Sequence, residues 1–313
     1  TVKVPPDSQT FEILGVICQI LTKNLANEGV QGVIVEAYNS STPSTLYFSG
    51  ISNARGWGRF DLVAGNYTFR AFWKTAEVKF LPPLSNQSVL VDRILNSSTL
   101  QLTDVQISVR DVNGGVPFVD LALRYNFTTR SNQTKSETVS VRTNESGISK
   151  ISNLFVNLSY ILMGSRYGLA LPGLPLPNKT MTVPLNTLTI ILPTYTAVVS
   201  LFDAKGTAVS GMRIAAYEWS SGLTDPTQTE TSSGGKANLS LTFGKYRLRA
   251  LDNSLVLNDT ELDLTENNLN FTFSLSILNV DITVQVRDFF GRPIANANVT
   301  VERKLGNNYV LAF

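Results

Sequence analysis

Val105-Gln-Ile107-Ser-Val109-Arg110-Asp111-Val-Asn-Gly114 is the stretch that decides how this chain folds. Apolar residues two, four and six positions before Asp111 alternate with polar ones, the pattern of a half-buried strand. Asp followed three residues later by Gly suits a turn that closes with glycine at positive φ. The same arrangement returns at Asp203-Ala-Lys-Gly206, preceded by Ala197, Val199 and Leu201, and at Asp288-Phe-Phe-Gly291, preceded by Ile282, Val284 and Val286. After each turn a second strand alternates again, as in Val119, Leu121, Leu123 and Tyr125, or in Ala297, Val299 and Val301. The chain is therefore a repeat of about 90 residues, each unit opening with strand, turn and strand.

Further landmarks recur inside the units. Thr143-x-x-x-Gly147 and Thr231-x-x-x-Gly235 correspond, and Ser52-x-x-x-Gly56 approximates them. Eleven residues after Gly56 and Gly235 stand Tyr67 and Tyr246, each in Gly-x-Tyr; Tyr160 comes thirteen after Gly147 and lacks that glycine. Phe60-Asp-Leu-Val-Ala-Gly65-Asn-Tyr67-Thr-Phe-Arg-Ala71 and Phe243-Gly244-Lys-Tyr246-Arg-Leu-Arg-Ala250, with Pro117 and Pro293 after the first turn, resemble the carboxypeptidase-regulatory-like, or transthyretin-like, family of Ig-like sandwiches. The resemblance covers nearly the whole chain and implies an all-β fold of tandem seven-stranded antiparallel sandwiches. It implies a scaffold rather than a chemistry. Unit one departs from the pattern, because Thr22-Lys-Asn-Leu-Ala-Asn-Glu-Gly29 holds no Asp-x-x-Gly.

The expected units are 1–102, 103–193, 194–277 and an incomplete fourth at 278–313, with two strands and a possible third at 309–313. A two- or three-stranded piece cannot close a core, so either a continuation of the chain or a strand from a neighbouring subunit must complete it. Strand-like junctions without Gly/Ser tracts predict stiff stacking. Three units in line, at about 3.3 Å per strand residue, make a rod on the order of 100 Å.

Composition narrows the function. Charged residues make up 16% of the 313 and hydrophobic ones 43%, enough for cores but few charges for a surface. The net charge of +2 comes without a basic stripe, which argues against nucleic acid. No run of 18 apolar residues spans a membrane; Leu158 to Pro177, broken by Arg166, reads as strand and loop. There is no histidine, so no Ser-His pair and no His metal ligand, and no cofactor motif. With few carboxylates, this composition suits a surface exposed to acid. Cys18 is the single cysteine and, flanked by Val16 and Ile20 at alternate positions, belongs on an inward face. Asp259, Glu261 and Asp263 share one strand face; they are either a cation site or a solvated acidic row, and the absence of a calcium-loop motif favours the row. Trp57, Trp73 and Trp219 could stack on sugars, but Trp73 lies in a strand and reads as core. A Lys–Asn isopeptide bond would need a lysine on a unit's first strand, and those strands carry Arg or Ser instead.

Acceptor triplets for N-glycosylation are the strongest functional signal. They begin at Asn39, Asn66, Asn86, Asn96, Asn126, Asn132, Asn144, Asn157, Asn178, Asn238, Asn258, Asn270 and Asn298, and take half of the 26 Asn. Random order would give roughly 5. Six of them, at Asn66, Asn126, Asn157, Asn238, Asn270 and Asn298, have an apolar middle residue, so on a strand the Asn faces out while that residue faces in. The sequence thus reads as a non-enzymatic extracellular glycoprotein that assembles with itself or with another cell-surface protein. In composition and repeat type it resembles the stalk subunits of surface layers, and the thread-like pili, of thermoacidophilic archaea. An array of adhesion or carbohydrate-binding modules, or non-catalytic domains of a secreted hydrolase, are the alternatives.

Overall fold

The computed structural model of the chain describes residues 15–96, 98–180, 186–220, 223, 225–252, 255–275, 283–300, 302–305 and 308–311. All regular elements among them are strands. Unit one holds β1 (Gly15–Leu21), β2 (Ile34–Asn39), β3 (Leu46–Ile51), β4 (Trp57–Val63), β5 (Gly65–Trp73), β6 (Ala76–Val78), β7 (Phe80–Leu81), β8 (Gln87–Val89), β9 (Arg93–Leu95) and β10 (Thr99–Leu100). Unit two holds β11 (Leu102–Arg110), β12 (Val119–Thr128), β13 (Thr134–Arg142), β14 (Ile148–Phe155), β15 (Ser159–Arg166), β16 (Leu169–Ala170), β17 (Leu176–Thr180) and β18 (Asn186–Ile191). Unit three holds β19 (Thr194–Asp203), β20 (Arg213–Glu218), β21 (Thr227–Glu230), β22 (Lys236–Thr242), β23 (Gly244–Asp252), β24 (Leu255–Leu264) and β25 (Asn270–Leu275).

The three units share one topology. A smaller sheet is ordered β4-β1-β9, β14-β11-β18 or β22-β19-β25, and a larger one is built on β3-β2-β5-β6, β13-β12-β15-β16 or β21-β20-β23-β24. Neighbouring strands are antiparallel, except that the last strand of each smaller sheet runs parallel to its first: β9 on β1, β18 on β11, β25 on β19. The alternation read from the sequence sets which side chains lie between the sheets. Val105, Ile107 and Val109, Val119, Leu121, Leu123 and Tyr125, and Ala197, Val199 and Leu201 are all buried. Each fully buried Leu or Ile contributes about 1.5–3 kcal/mol. Cys18 is buried between Val16 and Ile20, and burial, only partly offset by Arg93, pushes its thiol up to about 11.

The landmarks mark corresponding turns. Gly56, Gly147 and Gly235 adopt φ of 85°, 71° and 68°, and a Cβ at these positions would lie 2.4, 2.4 and 2.6 Å from the carbonyl oxygens of Thr22, Val109 and Leu201. The hydroxyls of Ser52, Thr143 and Thr231 accept hydrogen bonds from the backbone N–H of Val33, Val119 and Met212 at 2.9, 2.9 and 3.0 Å. Tyr67, Tyr160 and Tyr246 donate to the carbonyls of Val63, Phe155 and Thr242 at 2.7, 2.9 and 2.8 Å. Tyr160 therefore holds the same station as the other two, despite its longer offset.

Unit one also has the first turn, although its sequence holds no Asp-x-x-Gly. Asn24 Oδ1 accepts from the N–H of Ala26 and Glu28, as Asp203 Oδ1 does from Lys205 and Thr207 and Asp288 Oδ1 from Phe290 and Arg292. Asn27, at φ 64°, stands where Gly206 and Gly291 stand, at 79° and 80°. Asn tolerates the left-handed region, so Asn-x-x-Asn replaces Asp-x-x-Gly.

Residues 283–300 depart from expectation. The turn at Asp288–Gly291 forms, with an isolated bridge between Arg287 and Pro293, but the alternating residues around it join no strand. Val284, Phe289, Ile294 and Val299 are exposed, and among the described residues no second sheet lies against them. Ile282 and Val301 lie outside the described residues. β26 (Glu302–Leu305) and β27 (Asn308–Leu311) form a hairpin.

Candidate functional site

Two unit junctions and the acceptor surface are the places where the chain can do more than fold. At the first junction a register shift between Thr103 and Val105 lets Asp104 sit fully buried on β11; such a bulge re-aims a side chain. Asp104 Oδ1 accepts from Asn24 Nδ2 at 2.9 Å and from the Asn153 N–H at 3.0 Å, and Lys150 Nζ lies 2.8 Å from Oδ2. Lys150 also reaches Glu28 Oε1 of unit one at 2.6 Å; its hydrogen bonds to Asp104 and then Glu28 hold its ammonium above the usual lysine range.

Three further contacts tie the same pair. Glu36, buried on β2, accepts from Arg130 Nη1 at 2.7 Å, while the Arg130 guanidinium lies 4.7 Å from the Phe72 ring centre. Burial, with the hydrogen bond to Glu36, raises the Tyr38 phenol beside it. Lys74 pairs with Glu137, and its Nζ lies 3.2 Å from Tyr125 Oη. Trp73 Nε1 donates to the Asn153 carbonyl at 3.2 Å. Trp73 is half-buried and packs against the apolar cluster at the junction. Beneath these polar contacts the buried side chains of units one and two form one continuous apolar cluster.

The second junction is different. Unit three has its own core, except that Phe243 joins the buried cluster of units one and two with Tyr195 packed against it, and Arg166 of unit two, 2% exposed, reaches across to unit three beside Phe243. Its Nη1 donates to the Phe243 carbonyl at 2.7 Å, its Nη2 pairs with Glu218, and Tyr167 Oη donates to Glu218 Oε1 at 2.7 Å. Gly244, at φ 155°, leaves room: a Cβ there would lie 2.9 Å from Arg166 Nη1. Asp111, the first residue of the unit-two turn, accepts from the Thr242 hydroxyl. A cleft of about 260 Å³ remains between the units, walled by Asp111, Gly115, Arg166, Glu218 and Tyr246. In the sequence Arg166 is only a break in an apolar run, and a lone Arg in such a run is the available signal.

Of the thirteen acceptors, Asn178 has a side chain outside the described residues. None of the other twelve is buried. Asn39 and Asn258 are half-buried; Asn66, Asn86, Asn96, Asn126, Asn132, Asn144, Asn157, Asn238, Asn270 and Asn298 are exposed. The middle residues Tyr67, Phe127 and Leu239 are buried and Leu158 and Phe271 half-buried. Val299, 44% exposed, fails the pattern because its segment is not in a sheet.

The other candidates resolve into ordinary contacts. Asp259, Glu261 and Asp263 do share one face of β24, but they stand opposite Arg249, Arg247 and Lys245 of β23. Asp259 accepts from Arg247 Nε at 2.6 Å and Arg249 Nε at 3.0 Å. Burial alone would raise its carboxyl, yet these two guanidiniums outweigh it and hold it below the usual range. Among the described residues no group of three carboxylate, thiol or imidazole side chains is placed to hold a metal ion. Trp57 is half-buried, and Trp219, 47% exposed, has Lys245 Nζ 5.7 Å from its ring centre. Among the described residues no helix is long and apolar enough to cross a membrane.

No protein-family model matches the chain, and no curated protein matches it. Among solved structures it is similar to the Bacillus anthracis TIE protein, at TM-score 0.33 and 14% identity, over 84% of this chain and 51% of that one. The chain thus spans about half the length of that protein. It is also similar to a streptococcal ancillary pilin, at TM-score 0.32 and 13% identity, over 84% of this chain and 99% of that one. A third is GBS52, the minor pilin of Streptococcus agalactiae, at TM-score 0.29 and 14% identity, over 59% of this chain and 100% of the other. Likeness at such TM-scores carries no argument about function.

Proposed function

We propose that the chain is a structural, non-enzymatic glycoprotein outside the cell, N-glycosylated at most of its acceptors, in which tandem sandwiches make a stiff spacer. The observation that carries this reading is the placement of the acceptors: more than twice the chance number, and none of the twelve with described side chains buried. Neutral sugars would supply the solubility that 16% charged residues do not. They would also do so in acid, where carboxylates lose their charge. Stiffness is supported by the shared core of units one and two and by Arg166 inserted into unit three.

Within this class the finer assignment is a stalk subunit of a surface layer or a filament subunit, of the kind known from thermoacidophilic archaea. Its partners are further copies of itself or another cell-surface protein. Electron micrographs of the native particle test it. Thin, straight segments on the order of 100 Å per three units are expected, from about 3.3 Å per strand residue. Compact particles, or beads on a bending string, would overturn it.

A further inference from the structure

The acceptors are not spread evenly over the sheet faces. Asn66 on β5 and Asn126 on β12 point outward from the larger sheets of units one and two, alternating with buried Tyr67 and Phe127. Unit three reverses the arrangement. Asn238 on β22 and Asn270 on β25 point outward from the smaller sheet, each registered directly beside Val198 of β19. With strands about 4.8 Å apart, two glycans would rise about 10 Å from each other and cover that face.

The larger sheet of unit three has one acceptor, the half-buried Asn258 on β24, registered opposite the buried Ala250, and its outward positions carry none. They carry columns of charge instead: Lys245, Arg247 and Arg249 along β23, and beside them Asp263, Glu261 and Asp259 along β24. On the far side of the basic column, Tyr217 and Trp219 hold the cations over the sheet, with Arg249 5.5 Å from the Tyr217 ring centre and Lys245 5.7 Å from that of Trp219. Such cation–π contacts restrict long side chains to one arrangement.

The geometry points to this face as the contact surface for a second copy of the chain. Two adjacent columns of opposite sign are self-complementary. A two-fold axis parallel to the strands, in the contact plane between the columns, lays the acidic column of one copy on the basic column of the other. A face whose outward positions carry no acceptor allows that approach where a glycosylated one blocks it. The inference rests on the reading of the chain as a self-assembling glycoprotein.

The test uses the full glycosylated chain, with association measured by sedimentation at low and high salt. The parent should self-associate, less at high salt, since exposed charges are screened. K245E/R247E/R249E and D259K/E261K/D263K should each associate about tenfold more weakly or worse alone, and recover when mixed in equal amounts. Circular dichroism checks folding, and the milder pair R247E and E261R replaces the triples should either fail to fold. Undiminished association of the separate variants would overturn this face while leaving self-assembly intact, and so would loss without recovery on mixing. A parent that stays monomeric at every concentration would overturn both.

Discussion

A carboxylate withdrawn from water must be met by donors, and Asp104 is met by Asn24, by the Asn153 N–H and by Lys150. This explains why unit one begins its first turn with Asn where units two and three, and residues 278–313, use Asp. Either side chain can accept the turn's backbone N–H groups, but only Asn can also donate to Asp104. Asn24→Asp should leave the turn intact and set two carboxylates against each other in a buried site. A loss of about 2–4 kcal/mol is expected in denaturant unfolding near neutral pH. An unchanged midpoint would mean that Asp104 is held without Asn24. The acidic row on β24 behaves otherwise, being exposed and paired. The folded Asp259 carboxyl is depressed, so its contribution to stability is present above the unfolded value, near 3.9, and is lost as pH falls through the folded one. Asp259→Asn should therefore cost at most about 1 kcal/mol at pH 7, and parent and variant should converge in acid. Equal differences at both pH values would contradict the assignment.

At the scale of elements, the recurring glycines separate into two kinds. Gly147 combines positive φ with a backbone oxygen where a Cβ would go, whereas Gly206 has positive φ and open space around it. Gly206→Ala should cost about 1 kcal/mol for its conformation alone, and Gly147→Ala clearly more, because Val109 and Val116 must also move. Thermal unfolding of the two variants decides it, and equal losses would contradict the distinction. Such contacts explain what the sequence could and could not disclose. Strand alternation at Val105–Val109 and Val119–Tyr125 was legible because period two maps directly onto burial. The Asn24 turn is hidden in the sequence because Asn substitutes for both Asp and Gly there. The parallel closing strands, and the basic column opposite Asp259, Glu261 and Asp263, depend on pairing between segments far apart in sequence. The failure at Val284 and Val299 has the same root: a strand pattern needs a partner sheet, and among the described residues none faces it.

At the scale of the whole molecule, the two junctions predict unequal coupling. Units one and two share an apolar core and five side-chain links, Asn24–Asp104, Glu28–Lys150, Glu36–Arg130, Lys74–Glu137 and Trp73–Asn153, so they should unfold as one block. Unit three keeps a core of its own and meets that block through Phe243 and the contacts of Arg166, Tyr167 and Asp111, so it should unfold separately. Arg166→Met should widen the gap between the two calorimetric transitions, and one transition in both proteins would refute this division. Stiff coupling and a sugar coat are together what a surface spacer requires, and the coat is the more decisive of the two. Glycopeptide mass spectrometry on protein from its native source tests it most directly. Occupancy at most of the thirteen acceptors, the exposed strand sites Asn66, Asn126, Asn238 and Asn270 among them, is the expected result. Occupancy at fewer than about five, the number expected by chance, would contradict the account.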